Sequence, residues 1–145
     1  EVDFGGGVTE RVTRVYPSTE RELLVRWEIY HETPLSVRVL GPAWHTPKGI
    51  AVGTPASTLE QLNGRYFAFY GFGWEFAGQI TGWEGGALEY DHTLRDKISI
   101  ALAPLQPYLE EDFQLLQGKI EFTSDHPVAT KIQLRVESMT ITLNP

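Results

Sequence analysis

The stretch from Gly49 to Gly86 concentrates more apolar surface than any other part of the chain. Eight aromatic residues lie between Tyr66 and Trp83, and glycines bracket several of them. Large rings bury much area in a core, whereas closely spaced glycines mark bulges and sharp turns. The stretch is therefore predicted to form a covered strand followed by a turn, around which the other elements pack.

The segment Arg65–Phe72 has the pattern of a central strand. Apolar side chains occupy both of its alternating faces, so both faces need cover. Upstream, Thr54 and Pro55 predict the start of a short helix with threonine as its cap, and Asn63-Gly64 predicts its end through a left-handed residue. A helix this short is stable only when it is packed against other elements.

Apolar residues with a period of two predict most of the remaining strands. The predicted strands are Val8–Tyr16, Leu23–Tyr30, Leu35–Val39, Gln79–Trp83, Ile98–Leu102, Lys119–Phe122 and Leu134–Leu143. A second helix, of one or two turns, is predicted within Tyr108–Gln117. Residues Glu89–Asp96 are predicted to form a polar loop.

The order of these segments predicts an α+β fold. We expect one domain over residues 1–145, in which residues 1–7 are a flexible lead-in. Its centre is predicted to be a single antiparallel sheet of about seven strands with one or two short helices packed on it. The alternative is an all-β sandwich or barrel, which absence of the helix after Thr54 would support.

Charge and composition narrow the function classes. The 145 residues include 19 acidic and 12 basic side chains, a net charge of -7, which repels a phosphate backbone and argues against nucleic-acid binding. The chain has no cysteine, so disulfides and thiolate sites are excluded. No apolar run reaches the ~18 residues of a transmembrane segment, so none is predicted.

The motifs predict no catalytic, metal or cofactor site. No nucleophile stands beside a base, no phosphate-binding loop opens a helix, and no metal ligands have a known spacing. The aromatic residues are the remaining candidates, because flat rings stack on sugar faces and anchor protein partners. The predicted binding residues are Tyr70, Trp74, Glu75 and Trp83. Strand alternation favours burial of Trp83, and the glycine-rich turn favours partial exposure of Trp74.

A metal-dependent or carbohydrate-active enzyme is the alternative hypothesis. It would use carboxylates and histidines in loops, from Asp91-His92, Asp125-His126 or His45. However, adjacent residues of a strand point in opposite directions, and Ser124 to Pro127 has the pattern of a turn capped by a side chain.

Several short motifs after Tyr16 resemble those of an uncharacterised family of bacterial exported proteins. The matching residues are Gly49-Ile50, Gly53-Thr54, Leu59-Glu60, Leu62-Asn63-Gly64, Phe67, Gly71 to Trp74, Gly78, Trp83 to Gly86 and Asp125 to Pro127. The chain departs from the family pattern at Trp74–Gly78, which reads Trp-Glu-Phe-Ala-Gly in place of Trp-Asp-Tyr-Gly-Gly.

The resemblance implies a periplasmic or secreted protein and gives no assigned activity. From the missing catalytic motifs and the aromatic residues we expect a non-enzymatic protein that binds a protein or a cell-envelope component. The resemblance also implies that Glu1 follows a removed leader. At the level of fold alone, the chain is similar to β-lactamase-inhibitor-like proteins and small outer-membrane lipoproteins.

Overall fold

The computed structural model describes residues 2–3, 9–28 and 33–143. These residues form nine β-strands, four short α-helices and one 3₁₀ turn. The strands are β1 (Val2–Asp3), β2 (Thr9–Val15), β3 (Leu23–Trp27), β4 (Pro34–Val39), β5 (Ala68–Tyr70), β6 (Ile80–Gly82), β7 (Ile98–Pro104), β8 (Glu121–Thr123) and β9 (Leu134–Thr142). The helices are α1 (Ala56–Asn63), α2 (His92–Asp96), α3 (Glu110–Gln114) and α4 (Pro127–Ile132), and the 3₁₀ turn is Ala87–Tyr90.

The large sheet is antiparallel throughout and has the order β2-β3-β4-β9-β7, with the two residues of β1 paired at the outer edge of β2. Alternation gives it two different faces. Val39 and Met139 are opposite each other on the buried face, whereas Arg38 and Thr140 are opposite each other on the other face. This second, polar face is the one that matters for the site described below.

The small sheet has the order β6-β5-β8 and supplies the aromatic part of the core. As predicted, β5 is its central strand, and the side chains of Phe67 and Phe69 are completely buried. The two sheets meet where the Leu102 N–H donates to the Gly78 carbonyl at 2.8 Å. The core therefore lies between the small sheet, α1 and the buried face of the large sheet.

The predicted α+β fold built on antiparallel strands is confirmed. The helix that distinguishes this fold from the all-β alternative is present as α1, whose Leu59 is completely buried. It ends as predicted at Gly64, which has a φ of 79° and donates its N–H to the Glu60 carbonyl. The strands are divided between two sheets, whereas one sheet was expected, because β5, β6 and β8 pair with one another and not with the strands of the large sheet.

Three local predictions need correction. Thr54 does not cap α1, because its hydroxyl accepts from the Ala51 N–H at 2.9 Å and Pro55 stands at the N-cap. The predicted polar loop Glu89–Asp96 contains the second half of the 3₁₀ turn and all of α2, which Asp91 caps. The predicted turn at His126 opens α4, so the described residues hold four helices where one or two were expected.

The predicted lead-in falls mostly outside the described residues. Within it, Val2 and Asp3 form β1, and nothing is described at Glu1 and from 4 to 7. The last residues of the predicted strand Leu23–Tyr30 also lie outside the described residues. Among the described residues, no helix combines the length and apolar character needed to cross a membrane.

Candidate functional site

The turn that connects β5 with β6 projects a group of aromatic side chains. Its base is closed by two hydrogen bonds, from the Tyr70 N–H to the Gln79 carbonyl at 2.9 Å and from the Gly78 N–H to the Tyr70 carbonyl at 3.0 Å. Because these hydrogen bonds join the two ends of the turn, the residues between them form a compact loop that projects from the sheet. The candidate residues Trp74 and Glu75 both lie on it.

Three rings of this turn contact one another edge to face, and we call Tyr70, Trp74 and Phe76 the aromatic ladder. The ring centroids of Tyr70 and Trp74 are 5.0 Å apart at 76°, and those of Trp74 and Phe76 are 5.4 Å apart at 80°. Each such contact contributes about 0.5–1.5 kcal/mol beyond area burial. The ladder leads outward from half-buried Tyr70 to Phe76, whose side chain is 48% exposed.

Trp74 is the fixed centre of the ladder. Its indole N–H donates to the Gly71 carbonyl at 2.9 Å, which satisfies its polar group locally. The Lys119 ammonium lies 5.7 Å from its ring centroid, within range of a cation–π interaction. The ring is therefore held in one orientation and can support Phe76 from behind.

Beside the ladder, the turn forms one wall of a groove of about 500 Å³ over the polar face of the large sheet. We call it the hydroxyl groove. Glu75, Phe76 and Ala77 contribute to its wall, and serine, threonine and arginine side chains of the large sheet form most of its floor. The volume is within the ~300–1,000 Å³ that is common for small-ligand sites.

Trp83, the fourth candidate, has a different set of neighbours. Its ring lies 5.3 Å from that of buried Phe67, and it packs against the main core. It is partly exposed and lines a second depression next to Tyr90 and Arg95, which borders the hydroxyl groove at Ser99 and Ile100. The structure therefore places Tyr70, Trp74 and Glu75 in or beside one turn and gives Trp83 a role in packing.

The loop histidines and aspartates of the enzyme hypothesis have structural contacts of their own. Asp91 accepts the N–H groups of Thr93 at 2.9 Å and Leu94 at 3.2 Å, so it caps α2. His126 Nδ1 accepts the Val128 N–H at 3.1 Å and caps α4. Over the described ranges 2–3, 9–28 and 33–143, no group of three or more potential metal ligands is found.

Sequence reasoning included Phe76 only in the aromatic group as a whole, not among the four predicted binding residues, and it missed the floor of the hydroxyl groove. Alternation along β4 and β9 does indicate a face with Ser36, Arg38, Ser138 and Thr140. No sequence signal indicated that Phe76 would stand beside that face, because the contact joins elements distant in the chain.

The different surroundings of the two tryptophans predict unequal costs of truncation. We expect Trp83→Ala to lower the free energy of unfolding by about 3 kcal/mol, because it removes a ring packed on the core. Trp74→Ala should cost about 1–2 kcal/mol, because its contacts lie in the outer ladder. Urea denaturation of both variants measures the difference, and a larger loss for Trp74→Ala would contradict this assignment.

Comparisons with known proteins give one distant likeness. No protein-family model matches the chain, and no curated protein matches it. Among solved structures it is similar to the uncharacterized protein yfeY from Escherichia coli, with a TM-score of 0.42 and 14% identity over 93% of this chain and 81% of that one. A likeness this distant does not indicate a function, and the resemblance to an exported bacterial family stays a prediction.

Proposed function

We propose that this protein is a non-enzymatic, exported binding protein that takes up a protein or cell-envelope component at the aromatic ladder. The observation that carries the proposal is the position of Phe76. Its side chain is 48% exposed, it is backed by Trp74, and it stands at the wall of the hydroxyl groove. A rigid exposed ring beside a concave surface is a typical anchor for a ligand, since it supplies contact area with little loss of side-chain entropy.

The binding role is favoured over catalysis by the state of the titratable side chains. Asp91 and His126 hold helix N-termini, and His45 Nδ1 lies 2.9 Å from the Thr46 carbonyl. A general base needs a free position from which it can reach a substrate. Export is proposed from the family resemblance, and the aromatic motif at Gly71–Trp74 is part of that resemblance.

Capture from envelope fractions tests this function. Wild-type protein and the variant Phe76→Ser are immobilised and incubated with periplasmic, membrane and cell-wall fractions of a bacterium that encodes the protein. We expect the wild type to retain a specific component and Phe76→Ser to lose most of it, because the anchor is gone. The variant should unfold within about 1 kcal/mol of the wild type, as is usual for exposed positions.

Tyr90→Ser is the matched control. Tyr90 is 67% exposed but lies at the other depression, so its truncation removes an exposed ring without touching the ladder. It should retain the component as the wild type does. Equal retention by Phe76→Ser and wild type would show that the ladder is not the binding surface.

A further inference from the structure

We infer that the ligand of the hydroxyl groove is a saccharide chain, held by the serine and threonine hydroxyls of the groove floor. This inference rests on the proposed binding function and specifies its ligand class. The groove is lined by strands β3, β4, β9 and β7 and by the turn that carries Phe76.

The backbone of the internal strands of the floor is not available to a ligand. Strand β4 pairs with β3 on one side and β9 on the other, and β9 pairs with β4 and β7. The N–H and C=O groups of strands in such internal positions are used in the sheet ladders. Strand β7 is the last strand of the large sheet, and its outer edge is occupied where Leu102 and Ala101 pair with Gly78 and Gln79. β-Augmentation needs a free strand edge, which β3, β4 and β9 do not offer to an extended peptide. From these three strands, only side chains can contact the ligand.

Many of those side chains carry a hydroxyl group. Five hydroxyl residues line the groove, namely Ser36, Ser99, Ser138, Thr140 and Thr142. Within the described part of the chain, none of the five side chains hydrogen-bonds another protein group. Each hydroxyl can donate one hydrogen bond and accept two, which matches a ligand whose own groups both donate and accept.

The register sets the hydroxyls in rows across the sheet. Thr140 is opposite Arg38 on one side and Ser99 on the other, and Ser36 is opposite Thr142. Neighbouring strands are ~4.8 Å apart, so the row from Arg38 to Ser99 spans roughly 10 Å. A floor of this length offers contacts to more than one sugar unit.

The wall of the groove adds the other groups that a saccharide requires. Phe76 supplies an aromatic ring for the apolar C–H face of a sugar, and Glu75 supplies a carboxylate acceptor. Arg26 and Arg38 lie in the floor with several N–H donors each, and both also interact with other protein groups. The mixture of ring, donors and acceptors does not suit a lipid chain, and the net charge of -7 does not suit a nucleic acid.

Titration calorimetry with defined oligosaccharides tests the inference. The probes are a neutral glucan oligomer, an N-acetylglucosamine oligomer and an oligogalacturonate, so that neutral and acidic sources of the same chemistry are separated. We expect saturable binding of at least one probe by the wild type. The double variant Ser138→Ala/Thr140→Val changes two residues that line the hydroxyl groove and not the other depression. It should bind the probe about tenfold more weakly, because two hydrogen bonds are lost.

Thr81→Val is the control for the double variant. Thr81 is also an exposed strand threonine, but it lines the other depression, so binding should stay within about twofold of the wild type. Amide chemical shifts of the wild type give a second readout that does not depend on variants. On saturation with the probe, the shifts should change at Ser99, Thr140 and Phe76.

The outcomes separate this inference from the proposed function. Absence of binding to every probe, with Phe76-dependent capture from envelope fractions intact, overturns the saccharide inference and leaves the binding function. Capture of a peptide that competes for the groove also overturns the saccharide inference and leaves the binding function. Saccharide binding that is unchanged in the double variant, or shift changes confined to other surfaces, places the sugar elsewhere and also overturns it. Equal capture by Phe76→Ser and wild type overturns the proposed function itself.

Discussion

Replacing Gly78 with alanine is expected to lower the free energy of unfolding by about 4 kcal/mol or more. Gly78 has a φ of 74°, and a Cβ atom at this position would overlap the backbone carbonyl oxygen of Leu102. The same Gly78 accepts the Leu102 N–H through its own carbonyl, so the two sheets touch at this point. The overlap can be relieved only by moving the sheets apart. Urea denaturation followed by tryptophan fluorescence measures the loss.

The variant Gly64→Ala separates the two causes of the expected loss at Gly78, which are the left-handed backbone conformation and the steric overlap with Leu102. Gly64 has a φ of 79°, close to that of Gly78, but a Cβ atom there would meet nothing within 4 Å. It therefore reports the conformational cost alone, which is about 1–2 kcal/mol. Equal losses for the two variants would mean that the close approach at Leu102 contributes nothing to the junction.

Replacing Asn63 with alanine is expected to cost about 2–4 kcal/mol and to lower the melting temperature by roughly 6–12 °C. The Asn63 side chain is only 1% exposed and joins three parts of the chain. Its Oδ1 accepts the Leu88 N–H at 3.0 Å, and its Nδ2 donates to the Trp83 carbonyl at 2.9 Å and the Arg65 carbonyl at 3.1 Å. Truncation leaves the Leu88 N–H buried without a partner, which is the main part of the cost.

Two further variants define the origin of this loss. Gln61→Ala changes an exposed amide on the same helix and should stay within about 0.5 kcal/mol of the wild type. Asn63→Asp keeps the shape but turns the donor into a charged oxygen that faces the carbonyls of Trp83 and Arg65, so it should destabilise at least as much as alanine. Thermal melts at neutral pH compare the three proteins, and a mild effect of Asn63→Asp would mean that the amide donor is unimportant.

The sequence predicted only one of the two roles of Asn63. The sequence pair Asn63-Gly64 predicts the end of α1, and the left-handed Gly64 confirms it. The second role of Asn63 is to accept the Leu88 N–H. It depends on the 3₁₀ turn Ala87–Tyr90, which lies next to α1 only in the folded chain. A local pattern reports backbone preference, whereas the hydrogen bonds of Asn63 to Trp83 and Leu88 join residues 20 and 25 positions apart.

The short helices show the same limit. Helix α2 has five residues and α4 has six, too few for an apolar period to be recognised. Asp91, which caps α2, is of a residue type that also forms plain turns, and His126, which caps α4, is not of a usual cap type, so neither predicted a helix. Only packing decides between a turn and a helix, as Ala129 and Ile132 do for α4 by entering the core.

The sequence by itself determined strands β2 to β9, α1 and its end, and the central position of β5, because alternation, glycine punctuation and aromatic density act over a few neighbouring residues. It also placed Trp74 and Glu75 in a glycine-rich turn directly after the strand that carries Tyr70. Only the tertiary structure decided that the strands divide into two sheets, that Trp83 packs on Phe67, and that Phe76 stands over a floor of hydroxyl groups. Those features depend on where the closed turn after β5 meets β7, and that is set by the packing of distant segments.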